Sequence, residues 1–149
     1  MRVALGSDHA GFHLKGEIAR HLADRGYVVI DLGTHSEEPV DYPDFAAAVA
    51  RAVVEGRADR GIVVCGSGAG ACVAANKIRG VRAATAHDTY TAHQAVEHDD
   101  VNVLCLGSRV VGPALALELV DAFLAARFTG EERHRRRLAK VAALEETPG

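Results

Sequence analysis

The chain has no tryptophan and only 5% aromatic residues, and its charges nearly cancel: 17 Lys and Arg against 20 Asp and Glu, a net charge of −3. That balance excludes a general basic coat for nucleic acid or a membrane surface and leaves room only for a local basic patch. Cysteine is scarce as well. Cys65, Cys72 and Cys105 are odd in number and lack C-x-x-C spacing, so they read as reduced thiols of a cytoplasmic protein rather than a disulfide framework. No His or Cys pair has the spacing of zinc ligands, and no metal is expected. No apolar run approaches the roughly 18 residues of a membrane-spanning helix. The opening segment turns polar at Gly6-Ser7-Asp8-His9, too early for a signal-peptide core.

What is present is an ordinary globular composition, 48% apolar and 25% charged over 149 residues. Disorder and collagen are excluded, and the length suits a single domain, 1–149, with residues 145–149 expected to fray. Short β-branched runs alternate with stretches of helical period. Strands are expected at Arg2–Leu5, Tyr27–Leu32, Gly61–Cys65, Val81–Ala86 and Asn102–Leu106. Helices are expected at Ala10–Arg25, Asp44–Glu55, from the loop after Cys65 to Asn76, at Asp88–His98, from Pro113 to about Arg127, and at Glu131–Leu144. The strands mostly lack polar alternation, the mark of strands covered on both faces. The pattern predicts a three-layer α/β/α sandwich with a five-stranded parallel, Rossmann-like sheet, right-handed crossovers and an extra C-terminal helix. Ligands of such sheets sit beyond the carboxyl ends of the strands. Three polar clusters fall there: Ser7-Asp8-His9, Cys65–Gly70 and Gly107-Ser108-Arg109.

The run Cys65-Gly66-Ser67-Gly68-Ala69-Gly70-Ala71 is the most informative. Its glycines let the backbone approach a ligand closely, and the helix that follows offers free N–H groups to a phosphate or an oxyanion. It matches the dinucleotide fingerprint G-x-G-x-x-A formally, but after the third strand rather than the first, and with no separate substrate domain. A nucleotide-binding module is therefore the rival reading. A cysteine-phosphatase loop is set aside because position 71 is Ala where an Arg clamp is needed. Cys65 itself stands at a strand end beside loop amides, a setting that favours a reactive thiol. Cys72 and Cys105 read as small buried hydrophobes. His13, His21, His35, His87 and His93 have no partner spacing and are expected on the surface. Tyr42 is expected to pack on a neighbouring loop. The run Arg133–Arg137 reads as a solvated helix face; without interleaved aromatics, nucleic acid is not an expected partner. Arg133 and Arg137 are four apart, so both guanidiniums share one side of a helix, an arrangement suited to phosphate.

Several segments together resemble the ribose-5-phosphate isomerase B family, which includes galactose-6-phosphate and allose-6-phosphate isomerases. They are Gly6–Phe12, Asp41-Tyr42-Pro43, Cys65–Gly70, Ala74–Lys77, His98–Leu104, Gly107–Gly112 and the Arg133/Arg137 pair, in order and in register from residue 2 to about 144. The resemblance implies an aldose–ketose isomerase without a cofactor, acting on ribose 5-phosphate or another sugar phosphate through a cis-enediolate. Cys65 would carry the proton between C1 and C2, and His98 would protonate the ring oxygen to open the sugar. Gly66, Ser67, Gly68, Ala69 and Gly70 would hold the enediolate oxygens. Asp8, His9 and Asp99 would contact the sugar, and Arg109, Arg133 and Arg137 its distal end and phosphate. The same resemblance implies a homodimer or tetramer with the site shared between subunits. One branch of the family carries Glu just after the last loop glycine and lacks the cysteine; Ala71 and Cys65 place this chain in the other. Relatives often carry Asn after the ring-opening histidine, where this chain has Asp99.

Overall fold

The computed structural model describes residues 1–146. Five strands, β1 (Arg2–Ser7), β2 (Val28–Asp31), β3 (Arg60–Cys65), β4 (Ala83–Thr85) and β5 (Val103–Gly107), form one sheet in the order β2-β1-β3-β5-β4. All four pairings are parallel. Residues of opposite parity feed two separate cores. Val3, Leu5, Ile62, Val64, Leu104 and Leu106 face one side, and pack under α1 (Phe12–Asp24), α4 (Thr89–Asp99) and α5 (Pro113–Ala125). Ala4, Val63, Cys65, Val103 and Cys105 face the other, under α2 (Tyr42–Val54) and α3 (Ala69–Ala75). The three expected layers and the parallel sheet are therefore present. A last helix, α6 (Glu132–Glu146), lies outside the sandwich and touches α4.

Most element ends fall within a residue or two of the sequence reading. β1 runs on to Ser7, and β4 is only three residues long. α2 begins at Tyr42 because Pro43, lacking an N–H, is tolerated in a first helical turn. Glu145 and Glu146 belong to α6 rather than to a frayed tail, and the rest of that expected tail lies outside the described residues. Among the described residues no helix is long and apolar enough to cross a membrane.

The strand order creates a switch point. The chain leaves β1 toward β2 on one side and leaves β3 toward the β5–β4 side, with α1 and α3 on opposite faces. The loops beyond the carboxyl ends of β1 and β3 therefore part, and leave a crevice. Two buried contacts stiffen this half of the sheet. Lys15 of α1 is 2% exposed and its Nζ lies 2.6 Å from Asp31 Oδ1 at the end of β2. Arg60, at the start of β3, donates to the carbonyls of Phe123 and Ala126, satisfying acceptors that the end of α5 leaves open.

Candidate active site

At the switch point Asp8, Tyr42, Cys65, Gly66, Ser67, Gly70, Arg109 and Val110 line a cleft of about 300 Å³. Asp8 follows β1 directly, and its carboxylate accepts the Gly11 amide at 3.1 Å, which closes the turn into α1. Cys65 is the last residue of β3 and only 4% exposed. Cys65 nevertheless lines the cleft, and the Gly68 amide donates to its sulfur at 3.2 Å. Gly68 takes φ +82°, a left-handed turn that an L side chain resists, and this folds the loop back over the sulfur. Ala69 N donates to Ser67 Oγ at 3.2 Å, while the amides of Ser67 and Gly70 make no hydrogen bond among the described residues. These amides are available to an oxygen that gains negative charge beside the sulfur.

The third cluster joins the first two. Ser108 N donates to Cys65 O at 2.8 Å and Arg109 N to Gly66 O at 3.0 Å, so the turn after β5 is stitched to the glycine loop. The Arg109 guanidinium lies across Gly66 and supplies a cation to the cleft. Tyr42 was absent from the residues that sequence reasoning assigned to the site. Its ring packs on Gly70 so closely that a Cβ there would stand 2.6 Å from ring carbons, and it forms one wall of the cleft. The Asp-Tyr-Pro motif at the start of a helix was the available signal. His9 lies in the same turn as Asp8; its Nδ1 accepts the Val40 amide at 3.1 Å, which leaves the proton of a neutral ring on Nε2.

The remaining expected site residues are elsewhere in this chain. His98 and Asp99 end α4, whose chain leads through Val101 into the amino end of β5. An 11-residue helix is about 16 Å long, so His98 stands at the opposite edge of the sheet from Cys65. Gln94 Nε2 lies 2.9 Å from His98 Nδ1 and donates to it, which leaves His98 Nε2 to carry and deliver a proton. Asp99 is exposed. Arg133 and Arg137 are exposed on α6; Arg133 pairs with Glu131, and Arg137 makes no ion pair among the described residues. His134 departs from the solvated-face reading of its run: it is 3% exposed and stacked on His98, with ring centroids 4.2 Å apart. His21 also departs from the surface expectation, because it bonds Asp121 at 2.8 Å across the α1–α5 seam with little of its ring exposed.

The other two cysteines are not in the lining of the cleft. Cys105 is buried as expected, and its hydrogen bond to Cys72, together with burial, pushes its thiol up. Cys72 is half-buried rather than a plain core residue. A hydrogen bond from the Cys105 thiol, opposed by burial and helped by Thr85, holds its pKa at about 6. Among the described residues no cluster of three or more His, Cys, Asp or Glu could hold a metal.

Residues 3–141 match the family model described as Ribose/Galactose Isomerase. The chain belongs to that family. It is 48% identical to ribose-5-phosphate isomerase B of Escherichia coli K12 over 97% of each chain. It superposes on the ribose-5-phosphate isomerase B of Clostridium thermocellum with a TM-score of 0.96, at 53% identity over 98% of each chain. A ribose-5-phosphate isomerase B from Mycoplasma genitalium, solved with bound ribulose-5-phosphate, matches with a TM-score of 0.93 at 43% identity, covering 99% of this chain and 97% of its own. Membership of the ribose/galactose isomerase family agrees with the motifs in register and gives the nucleotide-module reading no support.

Proposed function

We infer that the chain interconverts ribose 5-phosphate and ribulose 5-phosphate in the cytoplasm, by moving a proton between C2 and C1 through a cis-enediolate. The observation that carries this reading is that Cys65 lines a cleft, with its sulfur accepting one loop amide and other loop amides beside it left without partners among the described residues. A proton next to a carbonyl is weakly acidic, so the barrier is set by how well the enediolate charge is held. Each well-placed donor is worth roughly 3–4 kcal/mol. The Cys65 thiolate takes the proton from C2 of the open aldose while the bonding pair moves into the C1–C2 bond and the carbonyl pair onto O1. The loop from Gly66 to Gly70 absorbs that charge. The thiol then returns the proton to C1 as O2 becomes the ketone, with its own proton passing to O1. Asp8 and His9 hold sugar hydroxyls, and Arg109 attracts the anionic end.

Ring opening needs His98, the sugar contact Asp99, and the rest of phosphate capture Arg133 and Arg137, all of which one chain places at the far edge of its sheet. A second copy must bring them to the Cys65 cleft, and so the working unit is a homodimer, alone or paired into a tetramer. Mixing two inactive variants, Cys65→Ala and His98→Asn, tests this. Random reassociation gives half heterodimers, each with one intact site of two, and so about a quarter of the wild-type activity. If the mixture stays inactive, the shared site is wrong. A panel of tetrose, pentose and hexose phosphates fixes the substrate; a pentose phosphate turned over no faster than the others would overturn the choice of ribose 5-phosphate.

A further inference from the structure

Helix α6 presents two different surfaces. Arg133 and Arg137 face solvent, while His134 turns inward onto α4. The rings of His134 and His98 lie nearly parallel, 17° apart, with centroids separated by 4.2 Å. His134 Nε2 makes no hydrogen bond among the described residues, and the nearest carboxylate oxygen, of Glu131, is 3.9 Å away. Burying a polar nitrogen without a partner is costly. The contact that uses this ring is the stack.

A histidine ring turns through a broad torsion about its Cβ–Cγ bond. Gln94 restrains one edge of the His98 ring through Nδ1, but a single hydrogen bond still allows the ring to roll about it. A flat plate against the face removes that roll, and leaves Nε2 aimed outward. We propose that His134 is a positioning residue for ring opening: its stack fixes the plane of the His98 ring and ties it to the helix that carries Arg133 and Arg137. Burial, with His98 and Arg133 nearby, keeps the His134 imidazole below the usual histidine value, so the plate is neutral at pH 7 and does not oppose a positive charge on His98. The proposal rests on the assignment of His98 to ring opening, and its test separates the two.

Two measurements divide the reaction. Turnover of ribose 5-phosphate, supplied mostly as the ring, requires opening. Deuterium uptake from solvent into ribulose 5-phosphate requires only proton transfer, because the hydroxyl that would close a five-membered ring is esterified. His134→Leu and His134→Gln are expected to lower kcat on ribose 5-phosphate about tenfold, with KM and deuterium uptake within about twofold of wild type. His134→Phe, which keeps a flat ring, is expected to restore most of the loss. Retained uptake shows that the variants fold, and two variants guard against the loss of one. The proposal is overturned if uptake falls as far as turnover, if KM alone changes, if neither variant slows turnover, or if Phe does no better than Leu. His98→Asn in the same two assays serves as the control. A His98→Asn enzyme with intact ring-form turnover sinks the ring-opening assignment itself; a ring-specific defect there, without one in His134→Leu, sinks only the role of His134.

Discussion

Three thiols of one chain sit in three different settings. Cys105 is enclosed, its thiol pushed up by its hydrogen bond to Cys72 and by burial. Cys72 is held at about 6 by its neighbours, yet its sulfur donates to the Ala83 carbonyl and it is not in the lining of the cleft. Among the described residues only Cys65 combines a place in the cleft lining with a backbone amide donor. The proposed base is therefore Cys65 and not Cys72, since a base must first reach its proton and only the former lines the cleft among the described residues. Cys65→Ala is expected to lower solvent deuterium uptake into ribulose 5-phosphate by at least about a hundredfold, the low end of what a general base supplies. Binding of inorganic phosphate, followed by calorimetry, should stay within about twofold. Uptake at the wild-type rate would place the base elsewhere.

At the scale of elements, the site depends on how firmly β1 and β2 are pinned beneath α1. The Lys15 ammonium is buried, and its attraction, together with the Gly33 amide, holds the Asp31 carboxyl below the usual carboxylate value even though burial alone would raise it. Asp31→Asn leaves that ammonium without a counter-charge. Losing one partner of a fully buried pair costs roughly 3–5 kcal/mol, and the partial exposure of Asp31 lets water reduce this to about 2 kcal/mol. The sign with pH follows from a carboxyl whose folded value is depressed. Its contribution is complete above the unfolded value near 3.8 and is lost as pH falls through the lower folded value. Denaturant unfolding should therefore show the gap between wild type and Asp31→Asn at full size at pH 7 and narrowing below about pH 4. A gap that widens on acidification would contradict the pairing.

On the scale of the whole molecule, one chain places the two groups of proposed site residues at opposite edges of its sheet. The carboxyl edge has the thiol, the loop amides, Asp8 and Arg109; the amino edge has His98, Asp99 and, on α6, the two arginines. Under the proposed shared site, association is part of catalysis and not only of stability. Diluting the enzyme through the concentration at which sedimentation shows half dissociation should halve its specific activity, and excess substrate should restore it only as far as it restores the dimer. A monomer with full activity would refute this reading.

Hydrophobic period and chain order were enough to read the layers, because buried parallel strands and their covering helices write continuous and 3.6-residue patterns directly into the residues. The cleft was equally legible: Asp8, Cys65–Gly70 and Arg109 each follow a strand, and in a parallel sheet every strand ends at the same edge. Other facts have no local signature. Tyr42 becomes a wall of the cleft only because α2 docks beside α3 and Gly70 has no side chain to keep the ring away. His134 reads as one polar residue among arginines until α6 crosses α4 and turns it onto His98. That Cys65 and His98 stand at opposite edges follows from the path of α4 through space. Local chemistry is a property of neighbouring residues, whereas distance between residues far apart in sequence is decided by packing, and only the tertiary structure contains it.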